Sequence, residues 1–335
     1  MKAFAYVAPT SVEGAVDRLE ENPGGALPMA GGMDLIGLMK DYVMQPELIV
    51  ALRDIADLEG IAETADGGLR IGALVTVADV AADERVRSRY PALAAAAAEV
   101  GTPQIRNRGT LGGNLCQRPR CWYFRSEYYS CLRKGGGSCF AVDGDNRYHA
   151  IFDTAPCPIV HPSNTAVALQ ALDARVEVAG PGAAGSVATE TMAMADFFVR
   201  PARNIRRENV LDTDQIVTAV ELPATTARSA TYTIKHKQSH DWPLAMASAV
   251  LQMDGQTVST ARIVMGAVAP IPWRATAAEQ ALTGRTVDIA TAEAAADAAV
   301  ADADPMDHNA YKVRLARTAV KRAILEAAGI DWAAA

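Results

Sequence analysis

Cys121, Cys131, Cys139 and Cys157 lie in one stretch of the chain, with Cys116 just before them and no cysteine elsewhere. The stretch follows directly on the glycine-rich run Gly109-Thr110-Leu111-Gly112-Gly113-Asn114 and lacks the apolar periodicity of a helix or strand. So long a segment without periodicity must be ordered by something other than its own secondary structure. Soft thiolates in fours select zinc or an iron-sulfur centre. The cysteines are 10, 8 and 18 residues apart. Structural zinc sites usually pair their ligands in short C-x2-4-C knuckles, so this spacing favours iron and sulfide.

Disulfides fit the chain less well. Five cysteines in 335 residues are far below the density of a small secreted scaffold, and Met1 to Val7 hold no apolar run of signal-peptide length. A mature, directly expressed protein is expected. The longest apolar stretch, Ala92 to Ala98, is much shorter than the roughly 20 residues needed to span a bilayer, so no membrane insertion is expected. At roughly 150 residues per domain the length suggests two domains, and 50% hydrophobic with 21% charged residues suits a sizeable core. A net charge of -7 argues against nucleic acid as a partner. The cysteine segment is locally basic, with Arg118, Arg120, Arg125, Arg133 and Lys134 against Glu127, a balance that would complement an anionic cluster.

Along the chain, Met1 to Val7 read as a strand. Ser11 opens an amphipathic helix through Leu19, and Ala26 to Met29 read as a second strand running into Ala30-Gly31-Gly32-Met33-Asp34 and a helix from Leu35. A glycine pair between strand and helix allows close approach of the backbone to a phosphate. Short strands from Leu48 to Val75, a helix over Thr76 to Asp83 and an alanine-rich helix from Pro91 lead to Gln104-Ile105-Arg106-Asn107 and the second glycine loop, suited to a diphosphate or the polar edge of a flavin. After the cysteines, His161-Pro162-Ser163 caps a helix to Leu172, and strands continue to Pro223. A boundary near 223–229 is followed by strands at 230–235, 246–252 and 257–266, with helices near 275–282 and 309–328, giving a smaller α+β unit.

These landmarks together resemble the flavoprotein (medium) subunit of the molybdenum hydroxylases, the xanthine dehydrogenase and carbon monoxide dehydrogenase family. The resemblance rests on Ala30-Gly31-Gly32-Met33-Asp34-Leu35, Ile105-Arg106-Asn107, Thr110 to Asn114, His161-Pro162-Ser163, Asp196-Phe197-Phe198, Gly266-Ala267-Val268 and Pro272-Trp273-Arg274. It implies an α+β protein: a two-part FAD-binding domain of the vanillyl-alcohol oxidase (PCMH) type over residues 1–225, and a C-terminal domain of the CO dehydrogenase flavoprotein type over 226–335. The insert at about 116–158 resembles the [4Fe-4S]-holding insert of the 4-hydroxybenzoyl-CoA reductase flavin subunit and, more closely, that of bacterial periplasmic aldehyde oxidoreductase. Cys121, Cys131, Cys139 and Cys157 are then the cluster ligands. Cys116 has no counterpart in that pattern and reads as a buried thiol.

The resemblance further implies FAD contacts from Met29, Ala30, Gly31, Gly32, Met33, Asp34, Leu35, Gln104, Thr110, Gly113, Asn114, His161, Ser163, Ile216 and Lys235. Thr110, Asn114 and Ser163 are equally suited to turn or cap roles, and Asn164 stands where aspartate is common. His236 and His240 read as surface residues, Trp242 and Trp273 as core or interface aromatics. No catalytic residue is expected. The implied role is electron transfer within a heterotrimeric aldehyde oxidoreductase, alongside a large subunit with the molybdenum cofactor, a small subunit with two [2Fe-2S] clusters and an external acceptor. The compartment is expected to be the cytoplasm, or the periplasm by co-export with a partner. A stand-alone flavoprotein oxidase or reductase, a hydroxybenzoyl-CoA reductase-like or xanthine dehydrogenase-like subunit, and a zinc-stabilised binding protein are the alternatives.

Overall fold

A computed structural model describes residues 1–333. Its first element is a three-stranded parallel sheet of β1 (Ala5–Val7), β2 (Ala26–Met29) and β3 (Leu48–Ala51), with β3 in the centre. The helix Val12–Glu20 begins at Ser11, whose hydroxyl accepts from the Gly14 amide at 3.1 Å, and buries Ala15, Val16 and Leu19. This face packs with Val50, Leu52, Ile55 and Leu58 into a small core that also takes in Ala179 and Ile216 from the next sheet.

That second sheet is antiparallel, in the order β4 (Ile61–Glu63), β5 (Leu69–Gly72), β8 (Ile216–Leu222), β6 (Arg175–Pro181) and β7 (Val187–Ala193). β5 and β8 pair although about 145 residues separate them, so the chain between has to leave the sheet and return. The excursion holds the alanine-rich helix Pro91–Ala98, the cysteine segment and the helix Asn164–Ala171. The helix Asn164–Ala171 is buried nearly all round, and Pro91–Ala98 buries Ala92, Leu93, Ala96 and Ala97; their small side chains allow close packing in the largest core.

The third sheet joins β9 (Arg228–Ile234), β10 (Ala245–Asp254), β11 (Thr257–Gly266) and β12 (Trp273–Arg274) as consecutive antiparallel neighbours. The helices Thr276–Leu282, Ile289–Ala299 and Tyr311–Ala328 pack with it through Ala278, Ala292, Ala319, Ala323 and Ile324. The alternating pattern of the strands was legible, but the helix Ile289–Ala299 was not: alanine at seven of its eleven positions leaves little contrast between faces. The C-terminal core is also less separate than the pattern after Pro223 suggested. Met246 and Val264 pack in the core of the preceding helices, and Ile151 and Phe152 from the end of the cysteine segment enter the C-terminal core.

Among the described residues no helix is long and apolar enough to cross a membrane.

Candidate functional site

The two glycine loops meet back to back. A Cβ on Gly31 would lie 1.7 Å from the Arg108 carbonyl oxygen, so only glycine lets the loops touch, and Gly32 takes a φ of 73°, where side chains are strained. The second loop differs from its sequence reading. Leu111–Leu115 forms a short helical turn, with the Thr110 hydroxyl accepting from the Gly113 amide at 3.2 Å. A Cβ on Gly113 would meet only Thr110 Oγ1, at 3.0 Å, so this edge of the loop is left clear.

Behind the turn, the buried Asn114 Oδ1 accepts from Ser163 Oγ at 2.6 Å and Thr165 Oγ1 at 2.7 Å. Ser163 Oγ in turn accepts from the Ala166 amide at 3.0 Å, capping the helix Asn164–Ala171. Thr110, Asn114 and Ser163 thus make the turn and cap hydrogen bonds that their sequence positions allowed.

Beside this network opens a cavity of about 320 Å³ lined by Arg120, Cys121, Trp122, Tyr148, His149, His161, Asn164, His236, Trp242 and Lys312 among others. A smaller cavity of about 110 Å³ adjoins it, sharing Pro162, Asn164 and Trp242 and reaching Gly101, Thr102 and Ile105. His161 was expected here. Its Nδ1 accepts from the Ser163 amide at 3.3 Å, which puts the ring proton on Nε2, and this donor is buried without a partner among the described residues. Burial, and then the charge of Arg133, push the His161 ring down to about 3, so it stays neutral.

His236 is exposed, in keeping with its reading as a surface residue, and also lines the cavity. Trp242 is 51% exposed, and the Arg120 guanidinium lies 4.8 Å from the centre of its ring. Trp273 stacks on Phe152 at 5.2 Å, between the C-terminal sheet and the cysteine segment. Tyr148, His149 and Lys312 were not anticipated at all, because the chain brings them to the cavity from regions with no motif.

The other expected contacts are scattered. Met29 to Gly32 are half-buried beside the second loop, and Leu35 begins the helix Leu35–Lys40. Met33 is exposed, and so is Gln104 on the short helix Pro103–Arg106. The Ile216 side chain is buried in the N-terminal core, and the Lys235 amine is paired with Glu99. Asp34 faces the cysteine segment. It accepts from the Arg118 amide at 2.8 Å and pairs with Arg120 and, at 2.7 Å, with Arg125. Burial alone would raise the Asp34 carboxyl, but the two guanidiniums and the amide hold it below the ordinary carboxylate range.

The segment's positive charges are thus largely spoken for. Arg118 and the buried Arg133 both pair with the buried Glu208, at 2.7 and 2.6 Å, rather than all facing a cluster. Arg133 still keeps Nε and Nη2 buried without hydrogen-bond partners among the described residues. Its charge and the thiol proton of Cys139 together act on Cys157. The neighbouring Cys139 thiol, and then the Arg133 charge, lower the Cys157 thiol, while Cys139 is raised in turn. Cys121 is pushed up to about 11, mainly by burial and to a lesser degree by the neighbouring Cys157 and Cys131. Cys116 packs instead against the Leu111 and Leu115 core, and burial pushes it up to about 12.

Regular structure in the segment is confined to Trp122–Arg125 and a single turn at Leu132–Lys134. Among the described residues no three His, Cys, Asp or Glu side chains stand close enough to hold one metal ion. A single zinc ion would draw four sulfurs to within about 2.3 Å of itself, whereas a cluster sets them on the corners of a larger body.

Comparison with known proteins places this arrangement. Residues 2–225 match the FAD binding domain in molybdopterin dehydrogenase, and residues 230–327 match the CO dehydrogenase flavoprotein C-terminal domain. The chain is 34% identical to the aldehyde oxidoreductase FAD-binding subunit PaoB of Escherichia coli, over 98% of this chain and 99% of that one. It is 28% identical to the carbon monoxide dehydrogenase medium chain of Hydrogenophaga pseudoflava, over 96% of each. Among solved structures, carbon monoxide dehydrogenase from Hydrogenophaga pseudoflava superposes with a TM-score of 0.75 at 29% identity, covering 98% of each chain. Quinoline 2-oxidoreductase from Pseudomonas putida superposes with the same TM-score at 26% identity, covering 98% and 99%. The two glycine loops, the β-rich frame that joins them and the C-terminal sheet thus have end-to-end counterparts, and the chain belongs to the FAD-binding medium subunits of the molybdenum hydroxylase family, an oxidoreductase subunit.

Proposed function

We propose that this chain is the electron-transfer subunit of a heterotrimeric molybdenum-containing aldehyde oxidoreductase. The observation that carries the reading is its end-to-end likeness to an aldehyde oxidoreductase FAD-binding subunit. In this reading a large subunit with the molybdenum cofactor oxidises the aldehyde, and a small subunit with two [2Fe-2S] clusters delivers the electrons here for passage to an external acceptor. When bound, FAD supplies the exchange between one- and two-electron transfer, and a [4Fe-4S] cluster supplies a one-electron carrier.

In this reading the chain's own residues hold both groups. Gly31, Gly32 and Gly113 would hold the diphosphate, since the second loop is clear above Gly113, and the unpartnered His161 Nε2 would donate to the flavin in the larger cavity. The half-buried Met29 to Gly32 support the first loop as the cradle. For the cluster, Cys121, Cys131, Cys139 and Cys157 are the ligands. The mutual influence of their thiols and the two orphaned donors of Arg133 beside Cys157 support that assignment. The FAD-binding unit spans 1–225 with the insert at about 116–158, and the C-terminal unit spans 226–335.

The test is flavin and iron analysis of the purified chain followed by a turnover assay. About one FAD and four irons per chain are expected, with no aldehyde-dependent dye reduction until both partner subunits are added. Aldehyde turnover by the chain alone would overturn the reading in favour of an independent oxidase.

A further inference from the structure

We propose that His149 donates a hydrogen bond to the cysteine cluster at the edge facing the flavin cavity, and so raises the cluster's reduction potential. The inference rests on the reading of Cys121 as a cluster ligand. His149 Nε2 lies 3.2 Å from Cys121 Sγ. A ligating thiolate can only accept, so the neutral imidazole must carry its proton on Nε2 and point it at the sulfur. Of the five cysteines, Cys121 alone lines the larger cavity, and His149 lines it too. The pair therefore forms the boundary between the cysteine set and the space assigned to the flavin.

The ring is held in place from several directions. Trp122 meets it edge-on with centroids 5.7 Å apart. The His149 carbonyl accepts from Lys312 Nζ at 2.8 Å and from Asn309 Nδ2 at 3.2 Å, and its amide donates to the Asn146 carbonyl at 2.9 Å. Lys312 also donates to the Ala267 carbonyl at 2.6 Å. The C-terminal helix thereby fixes the backbone under a residue of the insert. His149 Nδ1 is buried without a partner among the described residues, so nothing else anchors the ring in a competing orientation. Hydrogen bonds to cluster sulfurs stabilise the reduced state, which carries more negative charge, over the oxidised one. His149 is thus a positioning and tuning residue and not a ligand.

The test uses the full-length chain purified with its iron and flavin. In the wild type, double-resonance spectroscopy of the reduced cluster should detect a coupled proton that exchanges in D2O, and a weak nitrogen coupling in protein carrying 15N-histidine. A potentiometric titration of His149→Phe, which keeps a ring but removes the donor, should show the reduced-to-oxidised ratio at fixed potential falling about tenfold, about 59 mV for a one-electron couple. His149→Gln, whose amide restores a donor, should recover most of the shift, and the flavin potential should be unmoved in both. An unchanged cluster potential in His149→Phe with full iron content overturns the proposal. If that variant loses iron, the wild-type spectra decide, and absence of both couplings overturns the proposal. A wild-type chain without iron refutes the cluster and the role of His149 together, whereas iron without the couplings refutes only the latter.

Discussion

Ser163 Oγ donates to Asn114 Oδ1 across 2.6 Å, linking the end of the second glycine loop to the first turn of a buried helix. One amide oxygen serves two hydroxyls, because Thr165 donates to it as well, at 2.7 Å. The loop is therefore anchored to the core that follows the cysteine segment, although Asn114 and Ser163 are 49 residues apart in the chain. Asn114→Ala leaves both hydroxyls without their acceptor in a buried site, at a cost of about 1–3 kcal/mol. Urea denaturation should show that loss, and FAD affinity should fall with it. Unchanged stability would mean that the loop is held by something else.

Gly31→Ala should be worse than its one added methyl implies. The new carbon would overlap the Arg108 carbonyl, a backbone atom that cannot rotate away, so the two loops must separate. Overpacking of this kind costs about 1–3 kcal/mol. The flavin-to-protein ratio should drop sharply in the variant, while Gly37→Ala, with open space around it, should keep its flavin.

Asp34 joins the first loop to the insert through two guanidiniums and an amide. Asp34→Ala removes the acceptor and leaves Arg120 and Arg125 facing each other half-buried, a loss of about 3–5 kcal/mol for a buried pair, less here because both arginines are partly exposed. Limited proteolysis should cut the variant between residues 118 and 157 at protease concentrations that leave the wild type intact. Equal resistance would show that the Glu208 pairs suffice.

Cys131→Ser and Cys139→Ser should abolish the iron signal, whereas Cys116→Ala should retain it, since Cys116 packs with Leu111 and Leu115 and away from Cys121 and Cys131, which pack around Leu38 and Phe124. Iron content of the three variants checks this. Loss of iron from Cys116→Ala would change the ligand set.

His161 makes stability depend on pH. Its ring titrates near 3 when folded because burial disfavours the charged form, against about 6.5 when unfolded. Between these values the unfolded chain binds the extra proton, so stability rises with pH across the window, is fully present above about 6.5, and is lost as pH falls toward 3. Denaturation midpoints from pH 7 to 4 should fall. His161→Gln should flatten that dependence by up to about 1.4 kcal/mol per pH unit. An identical slope in the variant would locate the dependence in other groups.

What the sequence by itself determined is mostly local. Ser11 before an apolar stripe, Gly31-Gly32 between strand and helix and Ser163 before Asn164 each announce an element within a few residues, because caps and tight turns are local hydrogen-bond problems. The cysteines, being rare and confined, marked their segment without any help from periodicity. The tertiary structure alone decided what those elements touch. Nothing in the string indicates that Gly31 abuts Arg108, that Asp34 serves the insert, or that Glu208 binds two of the segment's arginines. Nor does it indicate that His149, His236, Trp242 and Lys312 close one cavity from three parts of the chain. Such contacts arise from packing a chain into sheets whose partners are more than a hundred residues apart. Side-chain partners across those distances follow from the register and crossing of whole elements, and from no property of the residues taken one at a time.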